Sequence, residues 1–203
     1  MKPEMITLKA GQATIKMPAT ALAQLALASV IGQMVPQQPA PALPAGAVPA
    51  LGAYWPGQGG VNAGLMRGLD GARDYYLIVP IGDDAELEEL KYGPSDFEVP
   101  GADSAWDGLA NTKALRASGK SHPAAEACHG FTRDGHSDFY LPARRELQMA
   151  EAVCPEVFSN GWHWSSTQRS AFSAFSLVFA VGLQGLSVKF NELRVRPVRR
   201  LFI

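Results

Sequence analysis

The residue types able to do chemistry fall in three places, and each set stops short of a working constellation. His163 stands near Ser165 and Ser166, the types needed for a hydroxyl nucleophile and its base. A serine nucleophile also needs a third group to orient the base and an oxyanion site, and no Gly-x-Ser-x-Gly elbow is present. Cys128 and Cys154 are the only two thiols. Neither lies in a pattern that activates a thiolate, so both read as buried small hydrophobes, with a disulfide between them left open. Cys128-His129 and Asp134-Gly135-His136-Ser137-Asp138 gather soft and hard ligand types that zinc or calcium would accept, but their spacing matches no standard loop and a polar turn is the preferred reading. No catalytic residue, metal or cofactor is therefore assigned.

Composition narrows the remaining classes. The chain has 203 residues, 47% hydrophobic and 18% charged, with a net charge of −1. Such neutrality gives no general attraction to phosphate backbones or anionic membranes, so no nucleic-acid partner is expected. Twenty Gly and fifteen Pro argue for many loops and short strands over a long-helix bundle. Charge is unevenly placed. Met17 to Met66 carries none, an acidic middle runs from Asp83 to Asp107 relieved only by Lys91, and Lys189, Arg194, Arg196, Arg199 and Arg200 crowd the end. The uncharged stretch predicts surface covered by something else, and the terminal cations predict partners for the acidic residues.

The first 35 residues read as an attachment and oligomerisation segment. Ile6, Leu8 and Ala10 alternate with Thr7 and Lys9, and after Gly11-Gln12 the alternation resumes at Ala13, Ile15 and Met17, which predicts a hairpin with a Gly-X turn. Pro18 then opens an expected helix over 19–35 whose Leu22, Leu25, Val30, Ile31 and Met34 spread around the whole wheel. A helix apolar on every side must be buried, here against its own copies or a larger assembly, with a trimer favoured. Gln24, Ser29 and Gln33 interrupt it and no basic cluster flanks it, so membrane insertion is not expected; Glu4 and the hairpin likewise argue against a secretory signal. Residues 36–53 form a Pro-rich linker, extended and roughly 45 Å long at about 3.1 Å per residue.

Residues 54–203 predict an α+β domain. Tyr75 to Val79 is a strand ended by Pro80; helices are expected over Trp106 to Ala117, around Ala124 to Cys128, and after Pro142. The period then changes to two through Phe175, Leu177, Phe179 and Val181. Gln184-Gly185 is expected to turn the chain, Leu186, Val188 and Phe190 to return, and Val195 to Val198 to make the last strand. Helices first and an antiparallel meander last place the domain in the α+β class.

Three ordered motifs make a resemblance. Ser137-Asp138-Phe139-Tyr140-Leu141-Pro142-Ala143-Arg144-Arg145-Glu146-Leu147, then Trp162-His163-Trp164-Ser165-Ser166-Thr167, then Val195-Arg196-Pro197-Val198-Arg199 resemble the signatures of the collagen-like-adhesin C-terminal domain family, with Phe139 and Tyr140 where Trp and Arg are commoner. Tyr54-Trp55-Pro56-Gly57-Gln58-Gly59-Gly60 and Asp74 to Ile78 resemble its phage-encoded members. The resemblance implies a C-type-lectin-like fold with short helices and a β meander. It also implies a non-enzymatic virion protein of a tailed phage (tail tip, baseplate or fibre), assembled in the host cytoplasm, whose partners are neighbouring virion proteins and a host-surface receptor. A purely architectural subunit and a bacterial surface adhesin are the alternatives. The calcium-chelating triplets of sugar-binding relatives are absent.

Within that fold, binding residues lie on loops held by a rigid scaffold. The expected ligand surface is Gln168, Arg169, Ser170 and Phe172, with Gln184 and Asn191 across the hairpin. Trp162 and His163 join them as candidates, although the Trp pair reads mainly as core. Arg144, Arg145, Arg196 and Arg199 are expected to fork onto the acidic loops and pin the terminal strand.

Overall fold

The computed structural model describes residues 5–10, 13–21, 48–69 and 71–203. They belong to two compact units, one within residues 1–47 and one spanning Val48–Ile203. In the first, β1 (Met5–Ala10) and β2 (Ala13–Pro18) pair antiparallel, Ala10 opposite Ala13, as the alternation predicts. Residues 19–21 are helical. The Gly11-Gln12 turn, the expected oligomerisation residues Leu22, Leu25, Val30, Ile31 and Met34, and most of the Pro-rich linker lie outside the described residues.

The second unit starts at Val48, within the segment assigned to the linker. Asn62 causes the difference: its buried Nδ2 donates to Pro49 O at 2.8 Å, while Gly52 N donates to Asn62 O at 2.8 Å. The chain then runs through β3 (Tyr54–Trp55), β4 (Gly60–Met66), β5 (Tyr75–Val79) and β6 (Leu87–Lys91). Helices α1 (Gly108–Ala117), α2 (Pro123–Gly130) and α3 (Arg144–Val153) follow. Last come β7 (Trp162–Gln168), β8 (Ser173–Val178), β9 (Leu183–Val188), β10 (Glu192–Val195) and β11 (Arg199–Phe202). The class is α+β, mostly sheet with three short α-helices in this unit, but strands precede the helices as well as follow them.

Two sheets form, of order β6-β10-β7-β8-β9 and β11-β5-β4-β3. The chain crosses between them at Arg196-Pro197-Val198, so the single last strand expected over 195–198 is two strands, β10 and β11, with Pro197 as the connector. Proline has no N–H for a ladder, which suits the gap between sheets. Helix α3 packs on β4 and β5 of one sheet and on β7 and β8 of the other, and its Leu147 and Ala150 join Val61, Leu77, Val79, Leu177 and Phe179 in one core. Helices α1 and α2 help build a second core around Trp164, with Leu115, Ala124, Cys128 and Leu141. Fully burying one such leucine contributes about 1.5–3 kcal/mol.

The three motifs hold these layers together. Glu146, fully buried at the third position of α3, accepts Ala143 N at 2.8 Å and Gly108 N at 3.2 Å, the Tyr75 and Tyr140 hydroxyls at 2.6 and 2.7 Å, and Arg200 Nη2 at 2.9 Å. One carboxylate thus caps a helix and ties it to both β5 and β11. Arg196 donates to Pro80 O and Glu86, and Arg199 to Asp138 and Gln58, so both pin the terminal segment as expected. Arg144 and Arg145 do not: their guanidinium groups lie over the rings of Phe175 (4.5 Å) and Trp106 (5.4 Å). Arg194 and Arg200 take the acidic partners instead, Glu88 and Asp107.

Candidate functional site

Sequence placed eight residues at a ligand surface, and the structure divides them. His163 and Gln168 are buried, because β7 is an interior strand of its sheet, flanked by β10 and β8. His163 Nδ1 is 2.9 Å from Gly161 O and Nε2 2.9 Å from Glu86 Oε1, with Phe158 and Phe179 edge-on to the ring. Burial alone would raise the Glu86 carboxyl; hydrogen bonds from His163, Ser159 and Arg196 outweigh it and hold the group well below the usual carboxylate range. Gln168 forms a two-way bond with Val99, Oε1 accepting from N at 3.0 Å and Nε2 donating to O at 3.3 Å, and accepts Lys189 Nζ at 2.7 Å. Both side chains are committed to holding distant loops and are corrected to structural residues. Trp162 is half-buried, its ring lying where a side chain at Gly185 would be.

The hydroxyl and thiol groups are similarly occupied. Ser165 Oγ donates to Phe175 O at 2.9 Å, and Ser166 Oγ accepts Asn111 Nδ2 at 3.2 Å; neither is bonded to His163. Cys128 and Cys154 are both free and buried. Burial pushes both thiols up, Cys154 to about 12. Asp134 accepts the Tyr54 hydroxyl at 2.6 Å, His136 Nε2 lies 2.9 Å from Gly57 O, and Asp138 holds Arg199. Asp134 and Gly135 both have positive φ, 52° and 77°, which makes the expected tight turn. Among the described residues no three His, Cys, Asp or Glu side chains gather as metal ligands would, and no helix is long and apolar enough to cross a membrane.

The remaining candidates lie along the β8–β9 hairpin and its flanks. Arg169, Phe172 and Asn191 are exposed; Ser170 and Gln184 are half-buried. Ser170 Oγ meets Ser173 Oγ at 3.1 Å and accepts the Phe172 and Ser173 N–H groups, so the loop that carries Phe172 outward is braced. Gln184 is tethered to Gln148 of α3 at 3.4 Å.

Sequence missed the larger part of this surface. Leu183, Leu186 and Phe190 are each more than half exposed, and Val181 is 75% exposed. The expected turn at Gln184-Gly185 is the reason. The chain turns through residues 179–182, where Gly182 has φ 63°, and Gly185 lies inside β9 opposite Ser176. This moves Leu186 opposite Phe175 and Val188 opposite Ser173, on the α3 side of the sheet. Leu177 on that side is buried in the α3 core and Phe175 carries Arg144, while Leu186 stays bare at the edge strand. From Ser170 to Val188 there is no charged residue.

The opposite edge of the sheet is built differently. β6 carries Glu88, Glu89 and Lys91, and Glu89 has φ 57°. Charge and irregularity are the usual protection of a strand edge; β9 has neither. The hairpin can therefore offer apolar and aromatic contact, the amides of Gln184 and Asn191, and an unpaired strand edge. No family model matches the chain, and no curated protein matches it.

Proposed function

We propose that this chain is a non-enzymatic virion protein of a tailed phage, whose Val48–Ile203 unit is a C-type-lectin-like head that adheres to a host receptor through the β8–β9 hairpin. The uncharged, apolar hairpin on a sheet whose other edge is charged carries the reading. A solvated monomer gains nothing from such a surface, and patches of this kind commonly meet a partner. The three ordered motifs add the fold and the setting, and the N-terminal hairpin and apolar segment supply attachment to neighbouring tail proteins and self-association. The catalytic residue types serve structure, which favours binding over turnover.

A purely architectural subunit is the second reading, and the bare β9 edge favours it, since a neighbouring virion protein can extend the sheet there by strand addition. One experiment separates them. Full-length protein and the F172S/L186S/F190S variant are applied to host cells and tested for competition with infection, while labelled antibody locates the chain in particle images. Adhesion predicts that the natural chain binds and competes and that the variant loses at least about tenfold in affinity. Tail labelling without binding or competition selects the architectural role, and absence from particles defeats both.

A further inference from the structure

A second site, remote in sequence from the hairpin, lies between α1, α2 and β11. A cavity of about 350 Å³ is floored by Phe139 and Tyr140 and walled by Leu109 and Phe202, a size at the lower end of small-molecule pockets. Its rim is unbalanced in charge. Lys113 and Arg116 of α1 and His129 of α2 all face it, and all three are exposed. The other ionic groups on the wall are already matched: Arg200 is held by Glu146 and Asp107 at 2.9 Å, and Asp138 by Arg199 at 2.9 Å. Among the described residues no carboxylate lies within 4.0 Å of Lys113, Arg116 or His129. Partial desolvation, then the neighbouring Arg116, pull the His129 imidazole below its usual range.

We infer that this cavity binds a small amphiphile with a carboxylate head and a short acyl or aromatic body, the head at Lys113 and Arg116 and the body against Leu109, Phe139 and Phe202. An apolar body alone would leave the cations unmatched, and a bare anion would leave the apolar walls wet; a molecule with both ends satisfies both. The site involves no residue of the adhesive hairpin and stands or falls independently of it.

The test titrates the full-length chain with octanoate, its neutral isostere octanamide, and inorganic phosphate, by calorimetry and by NMR of the His129 ring. Octanoate is expected to saturate one site and shift the His129 signals. Octanamide should bind about tenfold or more weakly, the loss expected for a charge-assisted contact, and phosphate should not saturate. K113Q/R116Q changes two exposed positions to other good helix formers. It should keep the thermal midpoint, lose about tenfold for octanoate, and leave octanamide unchanged. Equal affinity for octanoate and octanamide, saturation by phosphate alone, no octanoate binding, or an unaltered double variant would each overturn the inference.

Discussion

Arg196 and Glu86 meet at 2.7 Å inside the domain, the arginine side chain 3% and the carboxylate 10% exposed. The same carboxylate takes His163 and the Ser159 N–H and hydroxyl. The terminal motif, the tryptophan motif and the acidic middle thus converge on one anion. Removing one partner leaves the other charged in a poorly solvated place, so R196M should destabilise the domain by about 3–5 kcal/mol. The pH dependence has a definite sign. The folded carboxyl lies below its unfolded value of 4.5, so its contribution is complete above that value and is lost as pH falls toward the folded pKa. Urea midpoints between pH 6 and 2 should show a slope in the natural chain that E86Q reduces.

The Glu146 hub makes a separate prediction. Y75F and Y140F each delete one hydroxyl donor to a buried carboxylate, and each should cost about 1.5–3 kcal/mol. The two changes share a partner, so the double variant should depart from the sum of the singles by more than about 0.5 kcal/mol. Chemical denaturation of the four proteins checks both the size and the coupling; strict additivity would mean that the hydroxyls do not act through Glu146.

Much of this frame was legible in the residues, and the failures have physical causes. Pro142, Glu146 and the apolar spacing marked α3 because caps and periodicity are local. Alternation marked β1, β2 and β8 for the same reason. Strand β4 escaped notice because it carries Gly60 and Gly64 in place of alternating side chains; at Gly60 a Cβ would collide with the Val79 carbonyl, so close strand approach, not hydrophobic pattern, sets that residue. Glycine was equally misleading at Gly185, which lies inside β9 with the Trp162 ring close over it and makes no turn. His163 and Gln168 looked like surface groups because their partners, Glu86 and Val99, are far away in sequence. A buried polar residue satisfied across the fold has no local signature. The exposed hairpin was only half seen, since just two residues separate Gly182 from Gly185 and the choice between them decides which apolar side chains face water.

Lys189 gives the domain an alkaline signature. Its ammonium is buried, donating to Phe97 O and Gln168 Oε1 at 2.7 Å, and burial pulls its pKa down from 10.5 to about 8 despite the opposing pull of Glu98. The unfolded chain therefore holds a proton between those values that the folded chain has released, and Lys189 contributes stability that rises with pH from about 8 toward 10. Cys128 and Cys154 oppose it, because burial keeps both protonated in the folded chain while the unfolded thiols, at 9.0, ionise in the same window. K189M, which lacks the lysine contribution, should lose stability more steeply with pH than the natural chain, and toward and above pH 10 the buried Tyr75, Tyr92 and Tyr140 add to the loss in both. Thermal midpoints of the two proteins across pH 7 to 10 read the effect directly.

Both thiols should be silent in the native protein. Cys128 and Cys154 are buried and held protonated by that burial, and only the thiolate attacks a disulfide reagent. Titration with a chromogenic aromatic disulfide should release almost nothing from the folded chain at pH 8 and two equivalents once it is unfolded in guanidinium. Rapid release of one equivalent from the folded chain would place that cysteine at the surface.

The strongest consequence of the fold concerns the β9 edge. Lys189 N donates to Phe172 O at 3.0 Å, toward the β8 side; by strand alternation the N–H and C=O of Leu186 point away from β8, into solvent. With no charge from Ser170 to Val188, two such edges meet without repulsion, or one meets a partner strand. A lysine is the smallest change that closes an edge, because its ammonium must stay hydrated and cannot be sealed between strands. L186K should therefore leave the unfolding midpoint within about 0.5 kcal/mol of the natural chain, Leu186 being already exposed. It should also suppress concentration-dependent association and weaken adhesion to host cells. Sedimentation across a hundredfold range of concentration separates the two effects. If L186K lowers adhesion without changing association, the edge serves the partner; if both are unchanged, the hairpin is inert and the contact surface lies elsewhere.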